Sequence, residues 1–439
     1  MANPLKSFLD VRRREVPFVV LMFLYFFLVI TVFWILKPLK KALFIGFYKG
    51  SGETFFGLGG PEAEQLAKVG NMLVAFVAMV VFTLLSRRLH RQRLTFVFAG
   101  FSVAVLLGSL PFVAGEPPEP IVWSFYLFGD LFNTLMVATF FAFLNDSVAP
   151  NDAKRLYGPI VLGGVAGGAF GSLVVNRLTD RLDLPQWLLI ASGMVGVIAA
   201  LALAAGRLVD RNPPPAPDKP TGEAVLPGNA ALEGARLVLR SRYLLAIVTI
   251  VGLYEIISTI LDYQFTSTVD HFVSKQDLDN HFSTVFLITN TFALGVQLFL
   301  TSAIMKNLGV RVALLITPMA ILGNSVAFLA LPALWVGSLL NTSDNGLNYS
   351  MNQSAKESLY TPTSRDEKYK AKAFIDMFVQ RAAKAIAVGV NLLLAAYFGG
   401  FEAVRWLSIV AIALVAIWIL AASYAGKRFR QLTGADAAE

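Results

Sequence analysis

Runs of about twenty consecutive apolar residues recur along almost the whole chain, and this repetition fixes what the chain can fold into. A helix of about that length crosses the hydrocarbon of a bilayer, and a helix satisfies all its backbone hydrogen bonds without water. The runs fall at 16–36, 67–85, 94–113, 121–144, 159–175, 187–205, 244–265, 285–304, 312–331, 333–353, 373–397 and 404–425. They are continuous and lack the alternation of outer-membrane barrel strands. Of 439 residues, 56% are hydrophobic and 15% charged, against about a quarter charged in soluble domains. The expected fold is therefore an all-α integral membrane protein with twelve transmembrane helices. The first run is too long for a signal-peptide core and has no small-residue cleavage site, so it is expected to stay as a span.

Several function classes fall away on residue types alone. Without cysteine there is no disulfide, thiolate metal site or cysteine nucleophile. His90, His271 and His281 are scattered and form no ligand set, and neither a zinc-protease helix motif nor a phosphate-loop motif is present. No metal, cofactor or catalytic residue is expected, and the chain does not read as an enzyme. The net charge of +8 reports first on orientation and on anionic lipid. The N-terminal arm, the even-to-odd loops and the tail carry 26 of the 37 Lys and Arg, and the opposite loops nine. Both termini are expected in the cytoplasm, in a cell-membrane protein. Charges spread over many short loops do not suit nucleic acid, and a monomer is expected.

One long polar stretch, 207–242, contains Pro213, Pro214, Pro215, Pro217, Pro220 and Pro227. It reads as a flexible cytoplasmic linker followed by a short surface helix at 230–239. It divides the chain into six-helix halves at 1–206 and 243–439, the layout of the major facilitator superfamily, whose halves rock around a midplane site. Between the first two spans, the first helix is expected to break or bend near Pro38 and resume. The glycine-rich stretch 50–60 reads as a turn on the outer face, with a phosphate loop as the lesser alternative.

Charges inside spans are costly and either line a cavity or pair with one another. Asp130 has Asn133 and Thr134 on its face, and Glu255 and Asp262 lie two turns apart in the seventh span. Asp344 and Asn348 sit in the unusually polar tenth span; Asp376, Arg381 and Lys384 sit in the eleventh. Structural ion pairs for Asp130 or Glu255, and snorkelling of Arg381 and Lys384 to the headgroups, are the plainer alternatives. Gly163, Gly164, Gly167, Gly168 and Gly171 have the spacing of close helix packing.

These residues carry a resemblance. Ile35-Leu36-Lys37-Pro38-Leu39-Lys40-Lys41 resembles the first-helix I-L-R-D-T-K-D segment of the non-mitochondrial ATP/ADP translocases of plastids and intracellular bacteria. Asp130-Leu131-Phe132 is similar to their fourth-helix E-L-W, and Asp152-Ala153-Lys154-Arg155-Leu156-Tyr157 to their E-A-K-R-F-Y loop. Ser354-Ala355-Lys356-Glu357-Ser358-Leu359-Tyr360 is similar to S-A-K-x-S-L-F. Lys370 through Asp376, with Lys384 beyond, is similar to K-G-K-A-A-I-D-V…L-G-K-S. The resemblance implies a twelve-helix nucleotide exchanger with the first-helix lysine at Lys40 and the fourth-helix acid at Asp130. The seventh-helix acid falls on Asp262 or Glu255, and the late lysine on Lys372 or Lys384. Lys37-Pro38-Leu39 in place of R-D-T, and Phe132 in place of tryptophan, depart from the pattern and bear on adenine-nucleotide specificity.

The expected function is a secondary carrier exchanging nucleotides, or a related phosphorylated anion, by alternating access. Lys37, Lys40 and Lys41 from one half and Arg381 and Lys384 from the other would clamp phosphate. Asp130, Glu255 or Asp262 would contact base or ribose, or pair with those lysines. The candidate substrate-binding set is Lys37, Lys40, Lys41, Asp130, Asn133, Glu255, Asp262, Lys372, Arg381 and Lys384. The alternatives are a proton-coupled carrier of another organic anion and a non-transporting, lipid-handling partner protein of the same fold.

Overall fold

The computed structural model describes residues 11–51, 54–148, 150–211, 227–364 and 367–433. The described residues are almost wholly helical, and the β pairing among them is one isolated bridge between Phe55 and Leu58. The first half supplies α1 (Val16–Ser51), α2 (Gly60–Ser86), α3 (Arg91–Val113), α4 (Glu119–Ser147), α5 (Pro150–Leu178) and α6 (Leu184–Arg211). After α7 (Pro227–Arg240) come α8 (Arg242–Phe272), α9 (Leu278–Gly295), α10 (Ser302–Asn307), α11 (Gly309–Ala330), α12 (Leu334–Leu347) and α13 (Gln353–Ser358). The chain ends with α14 (Lys372–Phe374), α15 (Gln380–Phe398), α16 (Phe401–Val404) and α17 (Leu407–Leu432). Four π-helical turns, Val296–Thr301, Asn348–Asn352, Glu367–Ala371 and Ile375–Val379, lie in the second half.

Eleven helical stretches among the described residues are long and apolar enough to cross a membrane. The expected tenth span is the one outside that set. It is helical as α12, a π turn and α13, but polar residues such as Asn341, Asp344 and Asn348 dilute its apolar content. Of the expected linker, 212–226 lies outside the described residues, while α7 covers the expected surface helix.

Of the break or bend expected near Pro38, the break does not occur, since α1 runs unbroken from Val16 to Ser51 with the proline inside it. A proline inside a membrane helix frees one carbonyl, a local loss that neighbouring groups can meet. The glycine-rich stretch is a turn in its described part, with Phe56 and Gly57 both at positive φ, 53° and 81°. The helix after it starts at Gly60, earlier than expected, with Pro61 and Glu62 in the first turn, where a missing N–H is harmless and a negative charge favoured.

The chain forms two compact units. Unit 1 holds residues 1–53, 70–220 and 275–287; unit 2 holds 54–69, 221–274 and 288–439. In each, the first long helix of the sequence half is central. In unit 1, α1 packs on α4, α5 and α6, around an aromatic core in which Phe26 and Phe140 stack with centroids 4.3 Å apart. The expected glycine stripe is the α5 face against α1: a Cβ on Gly163, Gly167 or Gly171 would strike the backbone of Phe23, Phe27 or Thr31. In unit 2, α8 packs on α12, α15 and α17, with Tyr254 set edge-on to Trp418 at 5.7 Å. The side chains of Leu73, Phe76, Val77, Val80 and Leu84 form an exposed apolar stripe along α2 that water would not favour.

Candidate functional site

The charges expected inside the spans do occupy membrane-length helices, and each unit gathers its own set. In unit 1 the lysines of α1 point two ways. Lys37 and Lys41, one turn apart, meet aromatic rings of α9: Lys37 Nζ is 4.9 Å from the Phe286 centroid and Lys41 Nζ 5.7 Å from that of Phe282. Lys37 also lies 4.3 Å from the Trp34 ring. Lys40 turns toward α4, where Nζ sits 4.5 Å from the Tyr126 ring centroid and 2.5 Å from Asp130 Oδ1.

Two features of the sequence make the Lys40 contact fit. Gly129 precedes Asp130, and a Cβ there would lie 2.6 Å from Lys40 Cδ; the missing side chain is the lysine's path. Asn71 Nδ2 donates to the second carboxylate oxygen, Asp130 Oδ2, at 2.5 Å, so both oxygens are engaged. Lys40 is only 5% exposed, and a cation at that depth needs such a partner. Asn133, one turn along α4, keeps a buried Oδ1 that accepts from none of the described residues.

In unit 2, Glu255, Ser258 and Asp262 share one face of α8, at i, i+3 and i+7. Lys384 Nζ on α15 lies 3.3 Å from Glu255 Oε2. Asp262 is paired with Lys68 of α2. Ser258 Oγ donates to Asp344 Oδ2 at 2.6 Å. The same stretch of α2 is fastened twice more: Tyr263 Oη donates to Glu62 Oε1 at 2.5 Å, and Asn391 Nδ2 to Gln65 Oε1 at 3.0 Å. Lys372 does not join this face; it pairs with Glu357 at 2.6 Å and lies 5.6 Å from the Tyr360 ring. Arg381, half-buried on α15, makes no ion pair with a described residue.

The sequence reading missed Lys68, Asn71, Ser258 and Gly129. The Pro61-Glu62 start signal places Lys68 two turns into a helix, ahead of most of the apolar window. A separate cavity of about 310 Å³ in unit 2, lined by Glu62, Tyr263, Asp270 and His271 among others, has no Lys or Arg in its wall. An anion would find no counter-charge there.

Membrane-length helices that carry lysine–carboxylate pairs within their span have the construction of a secondary transporter. The chain belongs to the Major Facilitator Superfamily, whose family model matches residues 22–364. The model of the TLC ATP/ADP transporter matches residues 331–429. The chloroplastic ADP,ATP carrier protein 2 of Arabidopsis thaliana is 24% identical over 351 residues, covering 72% of this chain and 57% of the relative. The chain thus spans little more than half the length of that plant carrier. The ADP,ATP carrier protein 1 of Chlamydia pneumoniae is 22% identical over 495 residues, covering 97% of this chain and 94% of its own. Among solved structures, a bacterial homologue of the iron transporter ferroportin superposes with TM-score 0.66 at 11% identity, covering 94% of this chain and 99% of that one. A nucleoside transporter superposes with TM-score 0.64 at 13% identity, covering 93% and 99%. At such identities the structures speak for the fold alone.

Proposed function

We propose that this chain is a secondary carrier that exchanges ATP for ADP, or closely related nucleotides, by alternating access. The observation that carries the reading is the set of three lysine–carboxylate pairs inside spans: Lys40 with Asp130, Lys384 with Glu255, and Lys68 with Asp262. A lysine held away from water is costly until a negative group compensates it. Nucleotide phosphate is a partner of that kind, and its binding to Lys40 or Lys384 would release the carboxylate to accept from ribose or base. Occupancy would then decide which charges are compensated, and a ligand shifts a conformational equilibrium only through such a difference in interaction. The likeness to the plant and chlamydial ADP,ATP carriers supports the substrate class. The pairs also support Lys384, rather than Lys372, as the late functional lysine.

The chain is read with both termini and the 207–242 linker in the cytoplasm, on the asymmetry of Lys and Arg, and with the exposed apolar stripe of α2 against lipid. Purified protein in liposomes loaded with ADP should take up labelled ATP, and unloaded liposomes should not. Equal uptake into both, or uptake into neither with a functional reconstitution control, would refute nucleotide exchange.

A further inference from the structure

Lys356 lies outside every pair described above. It sits on α13 directly after the π turn Asn348–Asn352 and is 7% exposed. Its Nζ rests 4.8 Å from the centroid of Tyr254, the residue before Glu255. It forms neither a hydrogen bond nor an ion pair with a described residue. Glu255, Asp344, Glu357 and Asp376 act on it through space, but Glu255 is committed to Lys384 and Glu357 to Lys372. Asp344, 1% exposed, takes its hydrogen bond from Ser258.

A lysine side chain kept so far from water, with no hydrogen bond or ion pair to a described residue, is an expensive thing for a fold to keep, and a ring face returns only a small part of that cost. The ring is a fixed one: Tyr254 is 4% exposed and held edge-on by Trp418. The helix is also bent out of its regular course to put the lysine there. At about 100° per residue, twelve residues of plain α-helix would leave Lys356 about 120° away from Asp344. One extra residue in the π turn brings it to within about 20°, onto the face that meets α8.

We propose that Lys356 is a further binding residue for the phosphate chain of the nucleotide, and that the anion is the partner this lysine lacks. The inference rests on the nucleotide-exchange reading and adds a contact on α13 to that of Lys384 in the same unit. A lysine kept for stability and a lysine kept for an anion respond in opposite ways to removal of the charge.

Purified protein and its Lys356→Met and Lys356→Arg variants would be compared for melting temperature without ligand, and for affinity toward ATP, AMP and inorganic pyrophosphate. Lys356→Met should melt higher than the wild type, bind ATP and pyrophosphate at least tenfold more weakly, and lose part of the preference for ATP over AMP. Lys356→Arg should keep most of the affinity. If Lys356→Met does not fold, Lys356→Gln takes its place in the same assays. Unchanged affinity for ATP and pyrophosphate in the neutral variant would overturn the inference while leaving nucleotide exchange intact. Wild-type protein that binds pyrophosphate but no nucleotide would overturn the exchange reading, and Lys356 would then stand or fall on pyrophosphate alone.

Discussion

Lys40 shows how one missing side chain can set a charge in place. A glycine in a helix interior costs about 0.5–1 kcal/mol relative to alanine, so Gly129→Ala at an indifferent position would stabilise. Here the added Cβ would lie 2.6 Å from Lys40 Cδ, and the lysine must shift from its present path to Asp130. Gly129→Ala should therefore fail to raise the melting temperature and should weaken ATP binding by about tenfold, about 1.4 kcal/mol. Lys40→Gln removes a charge-assisted contact, about 1.5–3 kcal/mol, and should weaken binding roughly ten- to hundredfold. Isothermal titration of both variants checks this; wild-type affinity in both would exclude Lys40 from the site. Asp130, Glu255 and Asp262 were legible in the sequence because a carboxylate in an apolar run is rare enough to stand out. Pairing with Lys40 and Lys384 was among the expectations, but Lys68 was not, since no local spacing announces a pairing between helices. Gly129 was illegible for the opposite reason, as its role is an empty volume.

The helices were legible to different degrees, and the physical causes differ. Long apolar runs located eleven of the spans, because burial in lipid demands the same composition whatever the neighbours are. The tenth run was found by its length but not its irregularity: a π turn inserts a residue without any required residue type. The stripe of glycines on α5 was readable as packing, and the structure supplies its partner, the backbone of α1. At Gly171 an added Cβ would stand 2.6 Å from the Thr31 carbonyl oxygen, and backbone cannot step aside as a flexible side chain can. Gly171→Ala should accordingly lower stability by about 1–3 kcal/mol, the range for overpacking, visible as a lower melting temperature in detergent. Gly193→Ala, where nothing lies within 4 Å of the new Cβ, should be neutral or slightly stabilising.

Across the molecule, acid sensitivity and orientation are the measurable properties. Glu15, just before α1, accepts hydrogen bonds from Arg155 at 2.5 and 2.8 Å. Those bonds outweigh desolvation and hold its carboxyl below the ordinary 4.5. A carboxylate with a lowered value stabilises the fold fully above its unfolded value and loses that contribution as pH falls through the folded one. Glu15→Gln should therefore cost stability at neutral pH and flatten the loss below pH 4.5, as thermal melts against pH would show. For orientation, single cysteines at Ser241 and Ser274 of this cysteine-free chain can be labelled on intact cells with an impermeant reagent. Ser274 should react and Ser241 should not; the reverse would invert the topology. The pairing of Lys40, Lys68 and Lys384 with Asp130, Asp262 and Glu255 has one more consequence. Six ionised side chains that sum to zero contribute no net charge of their own to what such a carrier moves through the membrane field. In the proposed exchange the cargo would contribute one elementary charge for each ATP traded for ADP, on which a potential of 100 mV acts with about 2.3 kcal/mol. Voltage would then weigh, beside the two nucleotide gradients, in the direction such an exchanger runs.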